Sequence, residues 1–255
     1  MPAPSLETRD LTIRFGGHVA VNAVSCAFHP GELTVIVGPN GAGKTTYFNL
    51  ISGQLTATSG AVLKDGADIT RLSPSARAHH GLGRAFQLTN LFPQLSVLEN
   101  IRLAVQARSG DGWRMLRPVT GFRELTRKAE HYLESARLAK VAHQPAATLP
   151  HGDQRKLEVA LLMAMEPDVY MFDEPTAGMS LDHAPDVLEL IAGIKADRTK
   201  TVLLVEHKMD VVRALADRII VLHNGELLAD GVPSEVMASR IVRDVYLGTA
   251  TEGAA

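Results

Sequence analysis

Cysteine is nearly missing from this chain: Cys26 is the only one, so no internal disulfide can form and a reducing compartment, most simply the cytosol, is expected. Long hydrophobic runs are missing too. The stretch from Val159 to Met165 is stopped by Glu166, Pro167 and Asp168, far short of the roughly 20 apolar residues that span a bilayer. Positive charge is not in excess, since 26 Lys and Arg stand against 28 Asp and Glu for a formal charge of -2. That balance lacks the field that nucleic-acid binding requires, and no nucleic-acid partner is expected. Repeats and low-complexity segments are absent, and MPAPSLETRD carries neither the basic flank nor the apolar core of a signal peptide. What is present, 45% hydrophobic and 21% charged residues over 255 positions, fits one large globular domain or two modest ones.

The hydrophobic pattern divides the chain into three stretches. From Leu11 to His29 it predicts two strands joined near Gly16-Gly17, then a buried strand at Leu33 to Val37, a helix at Lys44 to Ser52 and a short strand at Ala61 to Leu63. Beyond Gln87 the period becomes helical, over Ser96 to Ala107 and Phe122 to Leu138, with Phe122, Leu125, Ala129, Tyr132, Leu133 and Ala136 on one stripe. Between these helices Arg108 to Gly121 is expected to be an exposed connection, with Trp113 as a local packing anchor. The last stretch alternates: strand Val169 to Phe172, helix Pro185 to Lys195, strand Thr201 to Val205, helix Met209 to Ala216 and strand Ile219 to Leu222. Such alternation predicts an α/β fold with a parallel sheet. Asn224-Gly225 predicts a hairpin turn into a strand at Glu226 to Ala229.

Two motifs carry chemistry on their own. Gly38-Pro39-Asn40-Gly41-Ala42-Gly43-Lys44-Thr45-Thr46 matches the phosphate loop G-x-x-x-x-G-K-[ST], between a predicted strand and a predicted helix. Its glycines let backbone N–H groups face phosphate oxygens, Lys44 brings positive charge to the β- and γ-phosphates, and the Thr45 hydroxyl suits Mg2+. Val169 to Glu174 is an apolar strand ending in two acids, which puts carboxylates at the ligand-binding edge of a parallel sheet. There Asp173 is expected to hold magnesium through its water shell, and Glu174 to polarise the water that attacks the γ-phosphate.

The ordered set Gly38 to Thr46, Gln87, Leu149 to Gln154, Asp173-Glu174 and His207 resembles the ATP-binding subunit of an ABC transporter over nearly the whole chain. GPNGAGKTT-YFNLISG, GLGRAFQLTNLFPQLSVLEN, HGDQRKLEVALLMAMEPDVYMFDEPTAGMS and the ending DVYLG resemble the branched-chain amino acid importer class most closely. The resemblance implies a P-loop NTPase with a RecA-like α/β core, an N-terminal antiparallel β subdomain and an inserted α-helical subdomain. Residues 1–87 and 166–255 would form the nucleotide-binding core, and 88–165 the helical subdomain. It further implies that Phe15 stacks on adenine, that Gln87 touches magnesium and the attacking water, and that His207 reaches the γ-phosphate. The segment at Leu149 opens a helix facing the nucleotide of a second subunit, with His151, Gly152 and Asp153 as contacts across the dimer. Pro150 stands where serine is usual, removing a hydroxyl and an N–H, and Ser180 stands where aspartate is common.

The function expected is that of an ATPase energising an importer by ATP-driven closure of two subunits. The cofactors are ATP and Mg2+. The partners are transmembrane permease subunits, a second ABC ATPase chain, with a heterodimer favoured over a homodimer, and, indirectly, a periplasmic or extracellular substrate-binding protein. Its place would be the cytoplasmic side of the inner membrane. Gln87 to Glu99 would face the permease, although Leu91, Phe92, Pro93, Leu95 and Val97 suit the helical core equally. Alternatives are the ATPase of a urea or amide importer or of a lipid or polysaccharide exporter, a soluble ABC ATPase acting on ribosome or DNA, and a P-loop kinase.

Overall fold

The computed structural model describes residues 3–85, 91–108, 123–179 and 184–244. Its strands are β1 (Leu6–Phe15), β2 (His18–Phe28), β3 (Leu33–Val37), β4 (Ser59–Lys64), β5 (Ala67–Asp68), β6 (Leu82–Ala85), β7 (Val169–Asp173), β8 (Thr201–Val205), β9 (Arg218–His223) and β10 (Glu226–Gly231). Its helices are α1 (Lys44–Ser52), α2 (Pro74–His79), α3 (Val97–Arg108), α4 (Arg123–Ser135), α5 (His151–Ala164), α6 (Ala184–Ala196), α7 (Met209–Leu215) and α8 (Pro233–Ala238). None of the described helices is long and apolar enough to cross a membrane.

The chain divides into two units. The first comprises Met1–Leu82, Asp168–Glu174 and Lys195–Ala255. It holds a four-stranded antiparallel sheet ordered β2-β1-β4-β5, and most of a six-stranded sheet ordered β10-β9-β3-β8-β7-β6. In the six-stranded sheet β3 runs parallel to β8 and β9, and β7 parallel to β8. Every residue of β3, β7 and β8 is buried, the pattern of strands covered on both faces, which is why their sequences run apolar without alternation. One apolar cluster joins the two sheets through Phe28, Ile36, Phe48, Met171, Leu203 and Leu222. The strand β1 begins at Leu6, earlier than its sequence predicts. Register shifts break its alternation after Thr8, where Asp10 takes a positive φ and its N–H donates to Ser25 Oγ at 2.7 Å.

The second unit comprises Gly83–Pro167 and Pro175–Ile194. Its helices α3, α4 and α5 pack on one another, burying Val97, Ile101, Leu125, Ala129, Leu133 and Leu157. The predicted stripe is kept at Leu125, Ala129, Leu133 and Ala136, whereas the Tyr132 hydroxyl donates to Glu166 and Phe122 lies outside the described residues. Asn100 is buried and holds the preceding turn, accepting from Phe92 N and donating to the carbonyls of Phe92 and Ser96. Residues 175–194 fall in this unit, although their sequence suggests the catalytic core. Ion pairs from Arg137 to Asp186 and Glu189, and from Lys156 to Asp186, tie them to its helices. Trp113 and most of the expected connection lie outside the described residues.

The sequence pattern misses α2, and with it Arg77, the largest fully buried side chain among the described residues. Its guanidinium donates to the carbonyls of Leu50 and Ile51, each at 2.6 Å, of Thr70 at 2.6 Å and of Leu72 at 3.2 Å. Leu50 and Ile51 lie in the last turn of α1, where carbonyls run short of helical partners and the dipole favours a cation. Arg77 thus closes the far end of the helix that opens at the phosphate loop. Arg77→Met should lower unfolding stability by about 2 kcal/mol or more, read from denaturant titration of the full chain. A change below about 0.5 kcal/mol would show that the four bonds contribute nothing net.

Candidate functional site

The phosphate loop follows from β3, whose last residue leads into Gly38. At Gly38 a side chain would begin 2.2 Å from Leu222 O, and at Gly43 2.5 Å from Ala20 O, so the loop is pressed against backbone on two sides. Their φ values, 152° and 94°, also suit glycine alone. Hydrogen bonds fix the curve: Ala42 N donates to Pro39 O, Gly225 N to Ala42 O and Tyr47 N to Gly43 O. Lys44 opens α1 and is largely buried, its Nζ donating to Gly38 O at 2.7 Å and Pro39 O at 2.9 Å. Burial pushes the Lys44 ammonium below its ordinary pKa, while the carboxylates of Glu174 and then Asp173 act to raise it. Asn40, Gly41 and Thr45 are exposed, while Pro39 and Thr46 are half-buried.

The acids stand at the same sheet edge. Asp173, the last residue of β7, pairs in register with Val205, and it is buried. Glu174 turns off that strand with φ 48°, a left-handed conformation that costs a non-glycine residue on the order of 1 kcal/mol, and its N–H donates to Val205 O at 3.0 Å. His207 follows β8, half exposed, with Nδ1 at 3.7 Å from Glu174 Oε1. Lys44, Asp173, Glu174 and His207 therefore gather in the first unit, a cation and two carboxylates beside an imidazole. A missed residue stands among them: Glu206, only 1% exposed, accepts the N–H groups of His207 and Lys208 through Oε1. Its signal was an acid directly after the apolar run Val202 to Val205.

Phe15 ends β1 at 50% exposure, an aromatic face open to solvent. Gln87 and Ser180 lie outside the described residues. In the second unit Pro150 is the N-cap of α5, and no side chain caps that helix. His151 is exposed and Gly152 buried. Asp153 pairs with Lys156 at 2.7 Å, so its carboxylate is already engaged one turn along.

The donors suit magnesium. The Thr45 hydroxyl and the Asp173 carboxylate are two hard oxygen donors, one exposed at the start of α1 and one at the end of β7. So small a set fits an ion that keeps much of its water and binds through one or two carboxylates plus substrate phosphates. Together with Lys44 and Glu174 the edge can neutralise a polyphosphate and polarise a water.

Residues 21–177 match the family described as ABC transporter. The chain is 37% identical over 255 residues to the high-affinity branched-chain amino acid transport ATP-binding protein BraF of Pseudomonas aeruginosa, and 36% to LivG of Escherichia coli, similarly titled; each pairing covers 98% of this chain and 100% of the relative. A crystal structure of the ADP conformation of an ATP-binding cassette of an ABC transporter matches with a TM-score of 0.82 and 28% identity, covering 97% of this chain and 100% of the other. A dimeric cassette in a post-hydrolysis state, bound to ADP and Pi, matches with a TM-score of 0.75 and 26% identity, covering 89% and 98%. The α/β core, the antiparallel sheet and the helical unit agree with that likeness. The chain belongs to the ABC transporter family and is one of its ATP-hydrolysing cassettes.

Proposed function

We propose that this cassette energises the uptake of branched-chain amino acids, working on the cytoplasmic face of the inner membrane through permease subunits and paired with a second, different ATPase chain. The observation that carries the cargo class is the end-to-end likeness to two branched-chain amino acid transport ATP-binding proteins. A substrate-binding protein outside the membrane would present the cargo to the permease, and this chain would not touch it. The two-chain pairing is supported by the dimeric cassette bound to ADP and Pi.

In this reading ATP is the substrate, with adenine stacked on Phe15 and phosphates in the loop from Gly38 to Thr46. Lys44 exchanges its bonds to Gly38 O and Pro39 O for phosphate oxygens, an exchange of one set of charge-assisted bonds for another. Thr45 and Asp173, with Gln87, would hold magnesium, which supplies charge neutralisation at the β- and γ-phosphates. Glu174 orients the attacking water and takes its proton; His207 donates to the γ-phosphate. His151, Gly152 and Asp153 would face the nucleotide held by the partner chain. Closure of the pair would be passed to the permease through 87–99, where Phe92 is 57% exposed and Leu95 37%.

Three measurements test this. Glu174→Gln should bind ATP as tightly as the wild type and hydrolyse it about 100-fold more slowly, whereas Lys44→Ala should lose binding as well. Near-normal phosphate release by Glu174→Gln would remove Glu174 from the base role. Cells whose only copy carries Lys44→Ala should fail to accumulate radiolabelled leucine, isoleucine and valine while taking up urea and acetamide normally; the reverse pattern would move the cargo to the amides. Light scattering of purified Glu174→Gln with magnesium and ATP should show an unchanged mass, because the second chain is missing. A doubled mass would instead establish a homodimer.

A further inference from the structure

The loop after β8 is held at both ends, and only one end belongs to the ladder of the sheet. At the first end Val205 pairs with Ile36 and Asp173, and Val205 O accepts the Glu174 N–H at 3.0 Å. At the second, the Glu206 carboxylate, 1% exposed, takes the N–H groups of His207 and Lys208, each at 3.0 Å on Oε1. Lys208 is the residue before α7 and has extended backbone, φ -79° and ψ 108°, with no side-chain cap of its own. Without Glu206 these two N–H groups would have no acceptor from the side chain that now turns the chain off the strand. A carboxylate removed from water is costly unless hydrogen-bonded, so the two bonds that fix the loop also contribute to keeping Glu206 buried.

We propose that Glu206 is a positioning residue for the hydrolysis reaction: by binding both loop N–H groups it sets where the His207 imidazole stands, 3.7 Å from the Glu174 carboxylate. The role assigned to it is exercised through His207, whose Nδ1 also lies 3.7 Å from Glu206 Oε1, so the inference rests on the role given to His207 above. Small errors of placement are expensive at such a site, since a displacement of about 1 Å can cost on the order of 100-fold in rate.

The test uses the full chain with Glu206→Ala, Glu206→Asp and Glu206→Gln beside His207→Ala and the wild type. Ala removes the acceptor; Asp keeps the charge but withdraws the oxygen by about one bond; Gln keeps an acceptor oxygen at the original reach. We expect kcat to fall about 10- to 100-fold in the Ala and Asp variants, with KM for ATP within about threefold of the wild type, and most of the loss to be recovered in Gln. Amide exchange measured by NMR should quicken at His207 and Lys208 in the Ala and Asp variants while β3 and β7 keep their protection. Should Ala not fold, the comparison of Asp with Gln decides the matter alone. Wild-type kcat in Asp, or a Gln variant as slow as Asp, would overturn the proposal. So would exchange quickening through β3 and β7 with ATP binding lost in parallel, the pattern of a packing residue. If His207→Ala hydrolyses ATP normally, the role of His207 falls and this inference with it; if His207→Ala is slow and the Glu206 variants are not, the inference alone falls.

Discussion

The placement of Val205 between two neighbours governs the rest of the site. As the last residue of β8 it pairs with Ile36 of β3 on one side and Asp173 of β7 on the other. Those two pairings align the starts of three loops: the phosphate loop after β3, Glu174 after β7 and His207 after β8. In parallel strands a slip of one residue would reverse which side chains face each layer, and strands buried on every residue hold that register by packing on both faces. The chemistry at the edge is therefore only as well placed as the core beneath it. Arg77 extends the same constraint to the other end of α1, so the helix whose first residue is Lys44 is fixed at its last turn as well.

Much of this was legible in the residues. The boundaries of β3, α1 and β8 fall where the apolar runs and the glycine loop put them, because each of these elements is bounded by turn residues and is fully committed to one pattern. The α/β class with a parallel sheet follows from the same alternation. The short elements α2, β5, β6 and α8 were not legible, since none holds the bounded apolar run that marks β3 and β8, and six residues make less than two helical turns. Arg77 was hidden for a different reason. A lone arginine reads as surface, and only the convergence of carbonyls from 50, 51, 70 and 72 makes it a buried hub. The membership of 175–194 in the second unit likewise shows only in contacts distant in sequence, among them the ion pairs of Lys156 and Arg137 with Asp186 and Glu189, about 30 to 50 residues apart, which no local pattern encodes.

The phosphate loop also explains how a buried ammonium is tolerated before any nucleotide arrives. Lys44 carries its charge against two loop carbonyls, with Glu174 and Asp173 near enough to oppose the effect of burial. A hydrogen bond to a charged group contributes about 1.5–3 kcal/mol, so releasing two of them would be a heavy cost if nothing replaced them. Phosphate oxygens are stronger acceptors than peptide carbonyls, and a glycine-rich loop lets backbone N–H groups turn toward them. The rearrangement of one side chain thus favours a polyphosphate over any neutral ligand, and the discrimination comes from charge rather than from shape.

The same accounting changes the weight of Pro150. Read as sequence, it removes both a hydroxyl and an N–H from the segment expected to meet a second nucleotide. In the fold Pro150 is the N-cap of α5, with φ -56° and ψ 152°, and its carbonyl accepts the first helical bond, from Gln154 N at 3.0 Å. The donors a helix offers forward include the N–H groups of its first turn, here those of His151, Gly152 and Asp153, and a proline before them leaves these three in place. The hydroxyl and the N-cap's own N–H are lost, and three of the four forward donors remain. Its φ is also the one the ring prefers, so proline stiffens the approach to the helix without straining it. The engagement of Asp153 with Lys156 turns that carboxylate along the helix, which leaves the backbone N–H groups and the exposed His151 as the face such a segment would present to a phosphate.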